Sequence, residues 1–255
     1  MKRPCIFCQE LGKLTEEHLW SDWINNLFGE KQRYTVQRKL PNREVKEWES
    51  VGINQTATVV CKKCNNEWMN DIEMEARPML SHLIKFGDPL SFLPAGIAVL
   101  AAFTFKNAII SDHTHRERKP FFSVSDRVSF MNKLAIPDGV QMWIASSGSD
   151  RFNGIFQSFV FEVPAAHGPL HSAKFLSFTW SAGYLVFQVL APRWKRLGRK
   201  YERLPMLMPN NRWESVSLRF WPNNGRPITW NPTYDLSGNS LDVFKNRWSE
   251  AINII

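Results

Sequence analysis

After residue 64 the chain of 255 residues has no cysteine. The four present, Cys5, Cys8, Cys61 and Cys64, form two Cys-x-x-Cys pairs. So few cysteines, so spaced, exclude a disulfide scaffold and favour metal binding. The N-terminal Met-Lys-Arg-Pro-Cys lacks the apolar run of a secretory signal, so a cytoplasmic protein is expected. An uninterrupted membrane-length apolar segment is missing too. The longest stretch, Phe92 to Ile110, contains Pro94 and Lys106 and is flanked by charge, which predicts a buried helix rather than a membrane span. There is no internal repeat and no low-complexity tract, so a repeat array is excluded.

Aromatic residues, by contrast, are plentiful. Eleven tryptophans and eighteen phenylalanines argue for a compact core rather than disorder. The length admits one large domain or two smaller ones. The net charge of +8 is unevenly spread: 13 basic and 13 acidic side chains balance from Met1 to Leu90, and the remainder carries 19 against 11. A basic surplus suits a polyanion, because Lys and Arg displace counterions from phosphates. A solvated, soluble surface accounts for the surplus equally well.

Along the chain, a metal knuckle spans Cys5 to Leu14, with a turn at Gly12. Thr15 has the character of a helix N-cap, with Glu16, Glu17 and His18 after it. The helical pattern proper begins at Trp20 and continues through Trp23, Ile24, Leu27 and Phe28 to Gly29. Residues 30 to 50, where Arg33, Arg38, Lys39 and Arg43 interleave with Tyr34 and Val36, read as a loop or solvated hairpin. Thr56 to Val60 is a short strand. From Asn65 a helix carries Trp68, Ile72, Met79 and Leu83 on one stripe, with a kink expected at Pro78. Ala95 to Ile110 is a second, fully buried helix. Pro89 and Pro94 mark a domain boundary near residue 90, separating domains 1–90 and 91–255. Beyond it, Gln141 to Ala145, Ile155 to Val163, Phe175 to Trp180 and Tyr184 to Leu190 predict a mainly antiparallel sheet. Ser181-Ala182-Gly183 suits a hairpin turn, and Leu241 to Ile252 a closing helix. The fold class is therefore α+β, a small metal-stapled module followed by a larger α+β domain.

The chemistry is concentrated at the front. Two knuckles 52 residues apart can bring four thiolates to one ion, a closed tetrahedral site that zinc favours and that supplies folding energy rather than catalysis. Glu17-His18 lies between the knuckles, and asparagine directly follows the second, as Cys61-Lys62-Lys63-Cys64-Asn65-Asn66.

This arrangement resembles the HNH (ββα-metal) nuclease superfamily, in particular its zinc-stapled endonuclease VII-like branch, over roughly residues 5 to 75. The resemblance implies a ββα-metal module with structural zinc at Cys5, Cys8, Cys61 and Cys64. It further implies His18 as general base on a strand end or loop, and a catalytic Mg²⁺ or Mn²⁺ held by Glu17 and Asn65. An imidazole titrates near neutrality and so can take a proton from water. A hard divalent ion prefers oxygen ligands and stabilises the phosphorane and the leaving oxyanion. Glu16 can exchange roles with Glu17, and Asn66 with Asn65. The middle asparagine of the HNH signature has its nearest counterpart in Asn54, and Trp20-Ser21 stand where the family has a proline. The function implied is a metal-dependent endonuclease acting on nucleic acid, most naturally DNA, in phage defence, restriction or a mobile element. Two alternatives are a non-catalytic zinc module with a decayed site and a toxin-like nuclease controlled through residues 91–255.

Those residues resemble no family. His113, His115, Arg116, Arg118 and Lys119 form one basic loop, and Arg193, Lys195, Arg196, Arg199, Lys200 and Arg203 another. Each reads equally as a nucleic-acid contact or a solvated loop. The domain admits substrate binding, a regulatory ligand or partner protein, or homodimer formation.

Overall fold

Alternation at a period of two builds the largest element, an antiparallel sheet buried on both faces. The computed structural model describes residues 3–29, 32–39, 45–115, 118–149, 151–152, 154–163, 173–194, 213–232, 234–236 and 238–250. In chain order these form β1 (Arg3–Pro4), β2 (Leu11–Gly12), β3 (Leu14–His18), α1 (Asp22–Phe28), β4 (Arg33–Lys39), β5 (Val45–Val51) and β6 (Thr56–Cys61). A short turn of helix, α2 (Lys62–Cys64), passes through a π-helical segment (Asn65–Met69) into α3 (Asn70–Phe86). Then come β7 (Leu90–Phe92), α4 (Pro94–Asp112), α5 (Val124–Lys133), β8 (Gln141–Ser146), β9 (Ile155–Val163), β10 (Ala173–Ala182) and β11 (Leu185–Trp194). The described chain closes with β12 (Ser217–Trp221), β13 (Ile228–Trp230) and α6 (Asn239–Glu250).

The large sheet runs in the order β12-β8-β11-β10-β9, every neighbour antiparallel. Leu176, Phe178, Trp180, Met142, Ile144, Phe187 and Val189 point into the main core, where α4 lies. The intervening Trp143, Ala145, Phe175, Val186 and Leu190 pack on the opposite side with Phe244 and Trp248 of α6. Both faces are therefore covered, which is why these strands read as nearly continuous apolar runs. On the α6 side Gln188 is buried but satisfied, donating to the carbonyl of Phe244 (3.1 Å) and accepting from the Trp248 indole (3.1 Å).

Helix α4 begins with proline at its first turn and is buried all round from Leu100 to Asp112. Among the described residues it alone is long and apolar enough to cross a membrane, and in this fold it is the core helix. Its fully buried Phe103 and Phe105 each contribute roughly 1.5–3 kcal/mol by leaving water.

Local reading and structure part company at Thr15. Leu14 to His18 is strand β3, not the start of a helix, and the helix begins at Asp22. Thr15, Glu16, Glu17 and His18 pair with β6, and this ladder with its alternating burial outweighs a weak N-cap signal. The segment at 30 to 50 is a hairpin, β4 paired with β5. Pro78, where a kink is expected, lies inside α3, which runs on to Phe86. The non-helical residue is Glu67 (φ −101°, ψ −110°), inside the π-helical segment.

The join near residue 90 is crossed by several contacts. The amide of Tyr184 donates to the carbonyl of Ile84 (3.0 Å), Trp20 Nε1 to the carbonyl of Ser181 (2.8 Å) and Trp180 Nε1 to the carbonyl of Leu19 (3.3 Å). One hydrophobic cluster runs from Cys5 through α3 and α4 to Trp230.

Candidate functional site

Each knuckle is shaped by backbone hydrogen bonds before any ion is considered. The amide of Cys5 donates to Glu10 and that of Gln9 to Cys5 (both 3.1 Å), while Gln9 takes a left-handed conformation (φ 64°). Its side-chain amide donates to the carbonyls of Cys5 and Ile6 (3.0 and 2.9 Å). The second knuckle starts where β6 ends, with Cys61 Sγ accepting from the amide of Cys64 (3.5 Å). A register shift in the β3–β6 ladder leaves Val59 without a cross-strand partner, and its carbonyl accepts from the amide of Ile6 (3.1 Å). That bulge joins one knuckle to the other.

The four sulfurs lie within 4.8 Å of one another, and Cys8 Sγ is 3.7 Å from Cys61 Sγ. A disulfide needs ~2 Å. Tetrahedral zinc with Zn–S of about 2.3 Å implies sulfur separations of roughly 3.8 Å. The cluster is compatible with structural zinc. Its electrostatics agree with that. The Cys64 thiol, aided by backbone groups of Cys61, Phe7 and Cys8, pulls the Cys5 thiol down to about 4 against the effect of burial. Burial pushes Cys8 up to about 11, and the contact with Cys5 also raises Cys64. A thiolate beside reluctant thiols is what a cation would resolve. Phe7 packs edge-on to Trp68 (4.8 Å), and Cys64 Sγ lies 3.9 Å from Met131 Sδ of α5.

No family model, curated protein or solved structure matches this chain. The site therefore rests on its own geometry.

Alternation along β3 separates the two residues central to the sequence reading. His18 is half-exposed at the strand end, with Nε2 3.2 Å from Asp22 Oδ1. Glu17, its neighbour, faces inward and is 5% exposed. There Glu17 Oε1 accepts from Lys106 Nζ of α4 (3.0 Å), and the same ammonium donates to Glu73 Oε1 of α3 (2.5 Å). Lys106 is fully buried. Burial alone would push its ammonium down, but the two carboxylates outweigh that and hold it above its ordinary value. Burial raises the Glu17 carboxyl more than the Lys106 charge lowers it.

Asn65 is half-buried at the start of the π-helical segment. Its amide nitrogen donates to the Glu16 carbonyl (3.2 Å) and Thr15 Oγ1 (3.4 Å). Glu16 itself is exposed, on the strand face that His18 shares. Asn54 turns its amide to the carbonyl of Val51 (2.7 Å), closing the turn that leads to β6. The loop there is clamped by Asn25 of α1, whose side chain both donates to and accepts from the Ile53 backbone (3.0 and 2.6 Å).

Of the basic residues, Arg118 is tied to buried Asp112 (2.5 Å) and Lys119 is exposed. Arg193, on β11, donates to the carbonyl of Phe121 (2.8 Å). His113 caps α4 and contacts Arg127 of α5. Arg116, Lys195, Arg196, Arg199, Lys200 and Arg203 lie outside the described residues.

Sequence reasoning missed Asp22, Lys106 and Asn25. Asp22 sits four residues after His18, at the start of α1, and that spacing was an available signal. Lys106 is a single cation in a run of apolar residues, and a buried lysine demands a carboxylate partner. Nothing local pointed to which carboxylates.

The catalytic Mg²⁺ or Mn²⁺ implied at Glu17 and Asn65 does not fit at Glu17. A buried ammonium already neutralises that carboxylate.

Proposed function

We propose that the chain is a zinc-stapled endonuclease of HNH type that hydrolyses phosphodiester bonds in DNA. The observation that carries the reading is the order of parts around His18. A strand ending in a half-exposed imidazole pairs with a second strand, and that strand runs through the second Cys-x-x-Cys into a helix. The segment just after the imidazole is held from both sides. Leu19 donates its amide to the carbonyl of Gln55 (2.9 Å) and accepts from Trp180 (3.3 Å), while Trp20 bonds to Ser181. Such double anchoring favours a group whose position matters.

In this mechanism Asp22 accepts from His18 Nε2 and fixes the ring and its tautomer, leaving Nδ1 to take a proton from water attacking the phosphate. No step is assigned to a divalent ion at Glu17. Exposed Glu16, on the His18 face, is the carboxylate left for one. The basic surplus beyond residue 90 supports a role for that region in holding the polyanion.

A second reading, a zinc module with a decayed nuclease site, draws support from Lys106 on Glu17 and from the use of Asn54 in a turn. Cleavage of supercoiled plasmid in Mg²⁺ or Mn²⁺, wild type against His18→Ala, separates the two. Cutting by the wild type alone supports the nuclease; no cutting by either protein supports the binding module.

A further inference from the structure

We infer that Lys106 is a built-in cation, standing where the HNH resemblance puts a divalent metal and making Glu17 a positioning residue instead of a metal ligand. The argument begins with place. Glu17 on β3 and Glu73 on α3 turn toward the seam between the strand pair and the helix, and the ammonium from α4 lies between them at 3.0 and 2.5 Å. The carboxylate that the resemblance gives to the metal is thus met by a cation on a side chain 89 residues away.

With Lys106 in place there is neither room nor water for the alternative occupant. Side-chain exposure is 1% for Lys106, 6% for Glu17 and 19% for Glu73. Mg²⁺ holds on to several waters and demands octahedral oxygen ligands. The Lys106 ammonium fills the space instead, fully buried and with its Nζ 5.7 Å from the Phe103 ring centre. Charge points the same way. With no cation, two carboxylates would be buried together, each raising the other's cost.

The consequence concerns His18. Lys106 pins Glu17, Glu17 pins the end of β3, and the imidazole on the opposite face inherits that position without a metal. This inference bears on the proposed nuclease site but does not depend on cleavage, because its test reads metal uptake.

Zinc-loaded full-length protein is titrated with Mn²⁺, bound and free ion being distinguished by electron paramagnetic resonance. Wild type and Glu17→Gln should show the same Mn²⁺ uptake. Lys106→Ala, which vacates the space, should gain a Mn²⁺ site that Glu17→Gln removes again in the double variant, and Mn²⁺ should raise the melting temperature of Lys106→Ala alone. Mn²⁺ uptake by the wild type that Glu17→Gln abolishes would overturn the inference. So would a folded Lys106→Ala that takes up no additional Mn²⁺. If Lys106→Ala does not fold, the wild-type and Glu17→Gln comparison decides by itself. Plasmid cutting by the wild type is a separate readout, so the nuclease reading can fail while this one stands, and the reverse.

Discussion

Trp20 donates its indole N–H to the carbonyl of Ser181 across 2.8 Å, linking the residue two places after His18 to strand β10 of the large sheet. The bond is buried, and its partner sheet lies wholly beyond residue 90. Trp20→Phe keeps most of the apolar volume but removes the indole donor from that carbonyl. A loss of about 0.5–1.5 kcal/mol is expected from urea denaturation. Any cutting activity should fall further than stability explains, since the His18 segment loses an anchor.

The turn between β10 and β11 makes a second joint. Gly183 has φ +54°, and a Cβ there would come within 2.2 Å of the carbonyl oxygen of Ile84 at the end of α3. Both the backbone angle and the clash oppose a side chain. Gly183→Ala should cost at least roughly 1–3 kcal/mol, seen as a lower denaturation midpoint. Unchanged stability would mean that α3 and the sheet do not dock as described.

Removing the metal tests the knuckles. One zinc per chain is expected by elemental analysis, bound to four thiolates. Cys61→Ser should lower zinc content and melting temperature together, and a strong chelator should unfold residues 5 to 75 first, because zinc binding and folding are coupled in such sites. Full stability without zinc would remove the staple from the account.

Glu17 gives a pH dependence with a definite sign. Its folded carboxyl titrates above the ordinary value of 4.5, mainly through burial and despite Lys106. The folded state therefore holds the proton more tightly than the unfolded chain. This group's contribution is complete below about pH 4.5 and is lost as pH rises through the raised value. The stability of Glu17→Gln relative to wild type should rise between pH 4 and pH 7, measured by denaturation at each pH. A flat difference would contradict the burial of this carboxyl.

Much of this was legible in the sequence, for identifiable reasons. Strands β8 to β11 carry long aromatic and β-branched runs, and α4 is apolar all round, so periodicity and composition sufficed. Helix α6 was found within two residues of its start; its expected end at Ile252 lies outside the described residues. The cysteine pairs announced their convergence through spacing alone. At β3, by contrast, four polar residues in a row carry no apolar period, and only pairing with β6 decides their form. Short β7, β12 and β13 gave too few residues for a pattern. The partners of Glu17 were beyond reach for another reason. Lys106 meets it through tertiary packing, 89 residues away, and no local rule encodes that.

The most direct test of the nuclease account is single-turnover cleavage of a labelled DNA duplex by zinc-loaded protein in Mg²⁺ or Mn²⁺. Wild type should cut, His18→Ala should cut at least ~100-fold more slowly, and added imidazole should restore part of the lost rate. Undiminished cutting by His18→Ala would contradict His18 as the base, and a wild type that leaves the duplex intact in both metals would contradict the nuclease itself.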